Sequence, residues 1–388
     1  MIKSKISTIQ KKNRIINNII NSMVEKKSFL ICGHSNPDED CIASMIAFAI
    51  ILTKFDKMVQ IYINGNVSDN IKYLLNICKY NSIELINNKN NINNDIDTLI
   101  ICDTPKLSML DINKKIKNLY NKKDILKIEI DHHIGTDGEY IGNYDYSLVT
   151  EASSTSELVG ILALKLKKRT NLLKRFQISD PFSRNLVLSI ITGIVGDTNM
   201  GQFLKSRRER RFYNIFSDMY NTILMTTTTK ETNFSDISQV FQELKKLSSQ
   251  DEKCYNYIMK NQNYSKSIGY IILKDKDTQF IYNEFERDLI ISIARHVANE
   301  LAEKSGKLSL MIYYDNPQES NLIQFRMRRS HNYKKFDLRN VLDIFSISNG
   351  GGHEGAIGFR FNREEIDDID KFVNKILTRI GKEINEIE

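Results

Sequence analysis

Residues 28–48 read SFLICGHSNPDEDCIASMIAF. An apolar run, Phe29–Cys32, stops at Gly33. A polar loop then carries His34, Asp38 and Asp40, and a second apolar stretch, Ile42–Leu52, has the length and spacing of a helix. This is strand, loop, helix. The pattern recurs along the first half of the chain, with strands predicted at Val59–Ile63, Thr98–Cys102 and Leu126–Ile130 and helices at Asn70–Asn76, Ser154–Lys167 and Ser183–Val195. Such alternation predicts an α/β fold with a parallel sheet covered on both faces. Ligands of these sheets bind beyond the carboxyl ends of the strands. One imidazole and two carboxylates are therefore delivered to the place where a site forms. A polar loop with an N-capping Asp would account for one carboxylate, but not for a His with two Asp.

Three further segments repeat the theme. In TLIICDTP (98–105), Asp103 directly follows an apolar strand. In LKIEIDHHIG (126–135), a strand ends in Asp131, His132 and His133, two adjacent histidines in a chain with only 6. In GIVGDTN (193–199), Asp197 follows a helix packed with Ile, Leu and Val. Alone, Asp103 reads equally well as a turn residue, and Asp197 reads as part of a helix end capped by Gly196. Together, His34, Asp38, Asp40, Asp103, His132 and Asp197 form a set of nitrogen and oxygen donors rich in carboxylate. That set suits two divalent ions, Mn²⁺ before Zn²⁺. Two ions roughly 3.5–4 Å apart can drive in-line attack on phosphorus.

The ordered motifs HSNPDED, Asp103, DHH at Asp131–His133 and GDT at Gly196–Thr198 resemble the DHH phosphoesterase superfamily. Far along the chain, NGGGHEGAIG at Asn349–Gly358 is similar to the glycine-rich motif of that superfamily's associated C-terminal domain, and Arg329–Ser330 is similar to the Arg-Ser pair that accompanies it. The resemblance spans almost the whole chain and is strongest to the bacterial nanoRNase and cyclic di-AMP (pApA) phosphodiesterase group. It departs from the usual pattern at Asn349 and Asn199, where glycine is common, and at Ile357, where alanine is common.

The resemblance implies that His34, Asp38 and Asp103 hold one metal, and that Asp40, Asp103, His132 and Asp197 hold the other, with Asp103 bridging. Asp131 is implied to orient the site from behind the ligands and His133 to face the substrate phosphate, making His133, Asp131 and Asp103 the catalytic set. In the second domain, Arg329, Ser330, Gly351, Gly352 and His353 are implied to grip a nucleotide. Glycines let backbone N–H groups approach phosphate oxygens closely, and an Arg offers a planar fork.

The 388 residues suit two domains. The boundaries expected are a catalytic domain at 1–204, a helical connector at 205–266 and a substrate-binding α/β domain at 267–388, with the active site in the cleft between the two domains. Within the connector, KSRRERR at Lys205–Arg211 reads as a solvated helix face, with nucleic-acid binding as the alternative. In the last domain, strands are expected at Ser267–Leu273, Leu308–Tyr314, Leu322–Arg328 and Ala356–Phe361, helices at Asp288–Ala302, Phe336–Phe345 and Glu364–Ile380, and a glycine-rich loop around Gly350–Gly352.

A hydrophobic fraction of 41% with 27% charged residues fits a soluble globular chain. The net charge of +7 accords with anionic substrates but follows equally from lysine-rich coding bias. The 5 cysteines form no CxxC pair and read as core thiols of a reducing compartment. The N-terminal stretch reads as a polar helix with an apolar stripe (Ile9, Ile15, Ile16, Ile19, Ile20, Met23), not as a signal peptide. A cytoplasmic location follows as the expectation.

The function expected is Mn²⁺-dependent hydrolysis of short nucleotides (cyclic di-AMP, pApA or nanoRNA) to mononucleotides, with dephosphorylation of pAp beside it. The cofactors are two divalent metal ions. The partners are a short nucleotide substrate and, as one option, a second copy in a homodimer, but no membrane. The competing classes are a pyrophosphate or polyphosphate hydrolase, an exonuclease on longer single strands, and a binding module with a degenerate site. The second-domain glycine motif argues against the first of these, and the complete ligand set argues against the last.

Overall fold

The structure is a computed structural model. It describes residues 2–387 apart from 66, 89–91, 94, 202, 228–233, 235–236, 246–248, 286–288, 319 and 331. The chain divides into two compact units, Met1–Lys246 and Leu247–Glu388.

The first unit runs β1 (Ile2–Lys3), α1 (Ile9–Glu25), β2 (Ser28–Cys32), α2 (Glu39–Thr53), β3 (Met58–Tyr62), α3 (Lys72–Tyr80), β4 (Glu84–Ile86), β5 (Thr98–Cys102), α4 (Lys114–Asn121), β6 (Leu126–Asp131), β7 (Gly135–Glu139), β8 (Ser147–Val149), α5 (Thr155–Lys167), α6 (Thr170–Arg175), α7 (Arg184–Thr198), α8 (Arg207–Thr227) and α9 (Ile237–Lys245). Its six-stranded sheet has the order β4-β3-β2-β5-β6-β8, and every pair is parallel. The strands are apolar on both faces, as a sheet covered twice requires. Phe29 and Ile31 of β2 face the core built with α1, α2, α5 and α7. Leu30 and Cys32 face a smaller core that includes Ile116 of α4. From β2 the chain winds out to β3 and β4, then returns to add β5, β6 and β8 on the other side. The winding therefore reverses between β2 and β5, which creates a switch-point crevice at their carboxyl ends.

The four strands read from sequence are present, and β4 and β8, three residues each, complete the sheet. The stripe on α1 buries Ile15, Ile16, Ile19, Ile20 and Met23, whereas Ile9 is exposed. All five cysteines are buried and in no disulfide. Among the described residues no helix is long and apolar enough to cross a membrane.

The second unit contains α10 (Ser249–Met259), β9 (Gln262–Ser265), β10 (Ile268–Ile272), α11 (Asp275–Glu284), α12 (Leu289–Ser305), β11 (Leu308–Tyr314), β12 (Leu322–Arg329), α13 (Arg339–Ile344), β13 (Gly350–His353), β14 (Ala356–Asn362) and α14 (Ile369–Ile387). The sheet order is β13-β14-β12-β11-β10-β9. Only β10 and β11 pair in parallel; the other neighbours are antiparallel. Leu308, Leu310 and Ile312 of β11 pack with α14 on one face, and Met311 and Tyr313 pack with α10 and α12 on the other.

Two readings differ from this architecture. The stretch 205–266 is divided between the units instead of standing apart. Helix α8 buries Phe216 and Tyr220, and α9 buries Val240, in the first unit's core, while α10 buries Cys254 and Ile258 in the second. Each helix has an apolar stripe that needs a surface to cover it. The glycine segment Gly350–His353 is an edge strand, not a loop, because Gly351 pairs with Gly358 and Gly350 with Phe359.

Candidate metal centre

Two residues that begin the site sit where β2 ends. His34 forms a bridge to Leu110, and Asp38 caps α2, its Oδ1 accepting from Cys41 N at 3.2 Å. The capping role and a place in the acidic cluster are thus compatible. In the first turn of α2, Asp40 is fully buried. Its Oδ2 accepts from Thr155 N at 2.6 Å and its Oδ1 from Ser156 N at 2.9 Å. These are the first amides of α5, where free N–H groups and the helix dipole favour an anion.

Asp103 stands at the end of β5 on the other side of the switch point. Its backbone is left-handed, φ 50°, a conformation that Asp tolerates better than most residues and that recurs at functional sites. A bond from Asp103 N to Ile130 O, 3.0 Å, holds it there. Asp103 Oδ2 lies 3.7 Å from His34 Nε2, and Oδ1 lies 3.5 Å from His132 Nε2. His34 Nε2 is 3.8 Å from Asp38 Oδ1, and His132 Nε2 is 3.4 Å from Asp197 Oδ2. Asp40, His132 and Asp197 each place a ligand atom within 4.8 Å of the others. The fold therefore brings together all six residues of the expected ligand set, with Asp103 between the His34 and His132 groups.

The rest of DHH faces both ways. His132 Nδ1 lies 3.4 Å from the Ala152 carbonyl, which orients the ring with Nε2 toward the carboxylates. His133 is 41% exposed at its side chain and places Nδ1 2.8 Å from Asp131 Oδ1. Asp131 itself is fully buried.

Asp197 is part of the last turn of α7, not a residue beyond it. The helix closes on Asn199 in the left-handed conformation, φ 46°. Gly196 is therefore not the cap. Asn199 adopts the backbone that glycine would adopt more cheaply, which explains why Asn is accommodated there.

The electrostatics call for cations. Burial, and next the charge of Asp40, push the carboxyls of Asp103 and Asp197 well above their ordinary range. Burial also raises Asp40. Burial alone would lower His132, but Asp197, Asp103 and Asp40 raise it to about 10. Several carboxylates share one buried space with imidazoles, the α5 amides, the Thr155 hydroxyl and the Cys41 thiol, and with no lysine or arginine among the cluster's own six residues. That donor set, nitrogen and oxygen without thiolate, fits hard or borderline divalent ions. The six residues named would hold them.

The second-unit residues have definite places. Arg329 Nη1 donates to the Phe336 carbonyl at 2.8 Å, and Nη2 lies 3.4 Å from Glu354 Oε1. Its backbone N donates to Gly355 O at 3.0 Å. Ser330, 2% exposed, donates to Glu303 Oε2 at 3.0 Å. The Arg329 side chain braces the β13–β14 turn, and that of Ser330 ties the end of β12 to α12. Gly351 and Gly352 lie in β13, and Gly352 has φ +141°. His353 has its backbone in β13; its side chain lies outside the described residues, as does His331.

Sequence reasoning missed three contributors. Thr155 Oγ1 donates to Asp103 Oδ1 at 2.8 Å. Ser156 supplies the second amide to Asp40. The run SSTS at 153–156 before an apolar helix signals a cap, but not what the cap holds. Lys3 is buried against Asp131 and Glu129, and no sequence signal marks it.

Residues 28–194 match the family described as "DHH family, N-terminal domain". No curated protein matches the chain. An exopolyphosphatase-related protein from Bacteroides fragilis has the same fold, with TM-score 0.62 and 18% identity over 95% of this chain and 96% of that one. RecJ from Thermus thermophilus in complex with Mn²⁺ aligns with TM-score 0.47 and 10% identity, over 98% of this chain and 56% of RecJ. A pGpG-specific phosphodiesterase, PggH, from Vibrio aligns with TM-score 0.37 and 12% identity, over 92% of this chain and 99% of that one. The matched span carries His34, Asp38, Asp40, Asp103 and His132 of the cluster, so this part of the chain is similar to the DHH family's N-terminal domain.

Proposed function

We propose that this chain is a two-metal phosphodiesterase that hydrolyses short nucleotides, such as cyclic di-AMP, pApA or nanoRNA, to mononucleotides, with Mn²⁺ as the preferred ion. The observation that carries the reading is the cluster at the switch point. His34, Asp38, Asp40, Asp103, His132 and Asp197 converge there from four separate segments. A merely polar crevice has no need of so much buried, like-signed charge.

When bound, divalent ions there would supply Lewis-acid stabilisation of charge at a phosphoryl oxygen. The chain's own residues do the positioning. Thr155 fixes one oxygen of Asp103, and the α5 amides fix both oxygens of Asp40. Asp131 fixes His133, whose ring edge is open to solvent and able to meet a substrate phosphate. In the second unit, β13 is the edge of its sheet. Its outward N–H groups, free of side-chain bulk over Gly350–Gly352, would take a nucleotide phosphate. Arg329 holds the turn that follows that strand, and Ser330 ties the neighbouring β12 to α12.

The test is a Mn²⁺-supported assay on cyclic di-AMP, pApA, short RNAs, pAp and pyrophosphate side by side. The dinucleotides should be cut with the highest kcat/KM. A clear preference for pyrophosphate would assign the chain to phosphoanhydride hydrolysis instead.

A further inference from the structure

Strand β1 contains only two residues, Ile2 and Lys3, and pairs with β7, the strand that follows DHH. The pairing carries Lys3 into the protein, where its side chain has no solvent exposure. A buried ammonium is costly unless every N–H finds a strong acceptor. Lys3 has three. Nζ donates to Thr104 O at 2.5 Å, lies 2.9 Å from Glu129 Oε1, and donates to Asp131 Oδ2. These partners lie on or just beyond two neighbouring strands, β5 and β6, on one side of the switch point. Thr104 follows Asp103 at the end of β5, and Glu129 and Asp131 belong to β6.

The two oxygens of Asp131 are divided between two tasks. Oδ2 receives the Lys3 ammonium. Oδ1 receives His133 N at 3.1 Å and faces His133 Nδ1 at 2.8 Å. Glu129 is held separately, since its Oε2 accepts from the backbone of Ile141 and Gly142 at 3.2 and 3.0 Å. A carboxylate anchored at one oxygen cannot rotate away at the other. An imidazole whose Nδ1 faces a carboxylate carries its proton on Nδ1, which leaves Nε2 for other work.

We propose that Lys3 is a positioning residue: its buried ammonium locks Asp131, and Asp131 in turn fixes the orientation and tautomer of His133. The proposal rests on the phosphodiesterase reading for its kinetic consequence, but not for its structural one. Lys3 touches none of the six candidate ligands through its side chain, so its loss should separate turnover from metal binding.

The experiment pairs kinetics with the imidazole nitrogen spectrum. Lys3→Ala should lower kcat about 10–100-fold, the usual effect of losing a partner that orients an active group. KM and Mn²⁺ affinity by calorimetry should stay near wild type. Added propylammonium, which replaces the missing arm, should restore part of kcat, whereas propanol should not. In long-range ¹H–¹⁵N spectra of metal-free protein at about pH 8, wild-type His133 should carry its proton on Nδ1, and Lys3→Ala should show a mixture. His133→Gln assigns the signal. Should Lys3→Ala fail to fold, Lys3→Met with Glu129→Gln keeps the local charge nearer balance. In that variant kcat should remain low, because Asp131 has still lost its anchor. Wild-type kcat in the double variant would mean that Lys3 only balances charge, and an unchanged His133 tautomer in Lys3→Ala would likewise overturn the proposal. If wild-type protein cuts no phosphodiester at all, the functional reading fails, and the spectrum still decides the relay.

Discussion

Thr155 Oγ1 donates to Asp103 Oδ1 at 2.8 Å, so the first turn of α5 holds the carboxylate that stands between the two halves of the cluster. Thr155→Val keeps the shape and removes the bond. Mn²⁺ affinity should fall about 10–100-fold, the usual cost of losing an outer partner of a ligand, and Thr155→Ser should recover most of it. Isothermal titration with Mn²⁺ measures this directly. Equal affinities in Thr155→Val and wild type would show that Asp103 is held by its backbone alone.

Gly193 of α7 makes a second such constraint visible. A Cβ there would lie 2.0 Å from Ser156 Oγ and 2.4 Å from Asp40 Oδ1. Gly193→Ala should therefore destabilise the first unit by about 1–3 kcal/mol through overpacking, and displace Asp40 from the α5 amides. Denaturant unfolding together with Mn²⁺ titration checks both consequences. Wild-type stability and affinity would mean that α7 moves aside freely.

Protonation gives a third prediction. Asp40, Asp103 and Asp197 have raised pKa values, with burial as the first cause. A raised carboxyl binds its proton more tightly in the folded state, so its contribution to stability is lost as pH rises through the folded value. His132, raised from 6.5 to about 10, acts in the same direction, contributing fully below 6.5 and losing its contribution toward 10. Asp131 is lowered: burial would raise it, but His133 and Lys3 prevail, so its contribution is lost only in acid. The Tm of metal-free protein should accordingly fall between pH 6.5 and about pH 9, and saturating Mg²⁺ should reduce that fall by neutralising the cluster. Scanning calorimetry with and without chelator measures it. A metal-free Tm that rises across this window would contradict the electrostatic account.

Much of this was legible in the sequence for a physical reason. Phe29–Cys32 and Thr98–Cys102 are buried on both faces and so read as continuous apolar runs. The residues beyond them, His34, Asp38 and Asp103, stand out against that background. Other features leave no such trace. Strands β4 and β8 are three residues long, too short for periodicity. The GGGH segment has the composition of a turn, and only pairing with β14 makes it a strand. Helix α8 carries an apolar stripe at Phe212, Ile215, Phe216 and Met219, but a stripe does not say which unit covers it. Lys3 looks like any other lysine near a terminus until β1 pairs with β7. Likewise, Arg329 looks like a free anion fork, and its bond to the Phe336 carbonyl depends on tertiary structure alone.

The second unit gives a fourth prediction. Gly352 has φ +141°, and a Cβ there would lie 2.2 Å from Ala356 O. Gly352→Ala should break the β13–β14 edge and lower nucleotide affinity, at a cost of about 1–3 kcal/mol in stability. Arg329→Ala should cost a similar amount, about 1–3 kcal/mol, by stripping the Phe336 carbonyl of its donor. Neither change should alter Mn²⁺ binding. Lost Mn²⁺ affinity in Gly352→Ala, with folding intact, would contradict this division of labour.

On the proposed function, six side chains at the switch point form one two-metal site with Asp103 shared. The most direct measurement is Mn²⁺ stoichiometry and pApA turnover in wild type, Asp38→Ala, Asp40→Ala and Asp103→Ala. Wild type should bind two Mn²⁺ and lose all turnover in excess chelator. Asp103→Ala should lose more activity than either of the other variants, because a shared ligand organises both positions. Turnover that persists in metal-free buffer, or an Asp103→Ala protein that still binds two Mn²⁺ with wild-type affinity, would contradict the account.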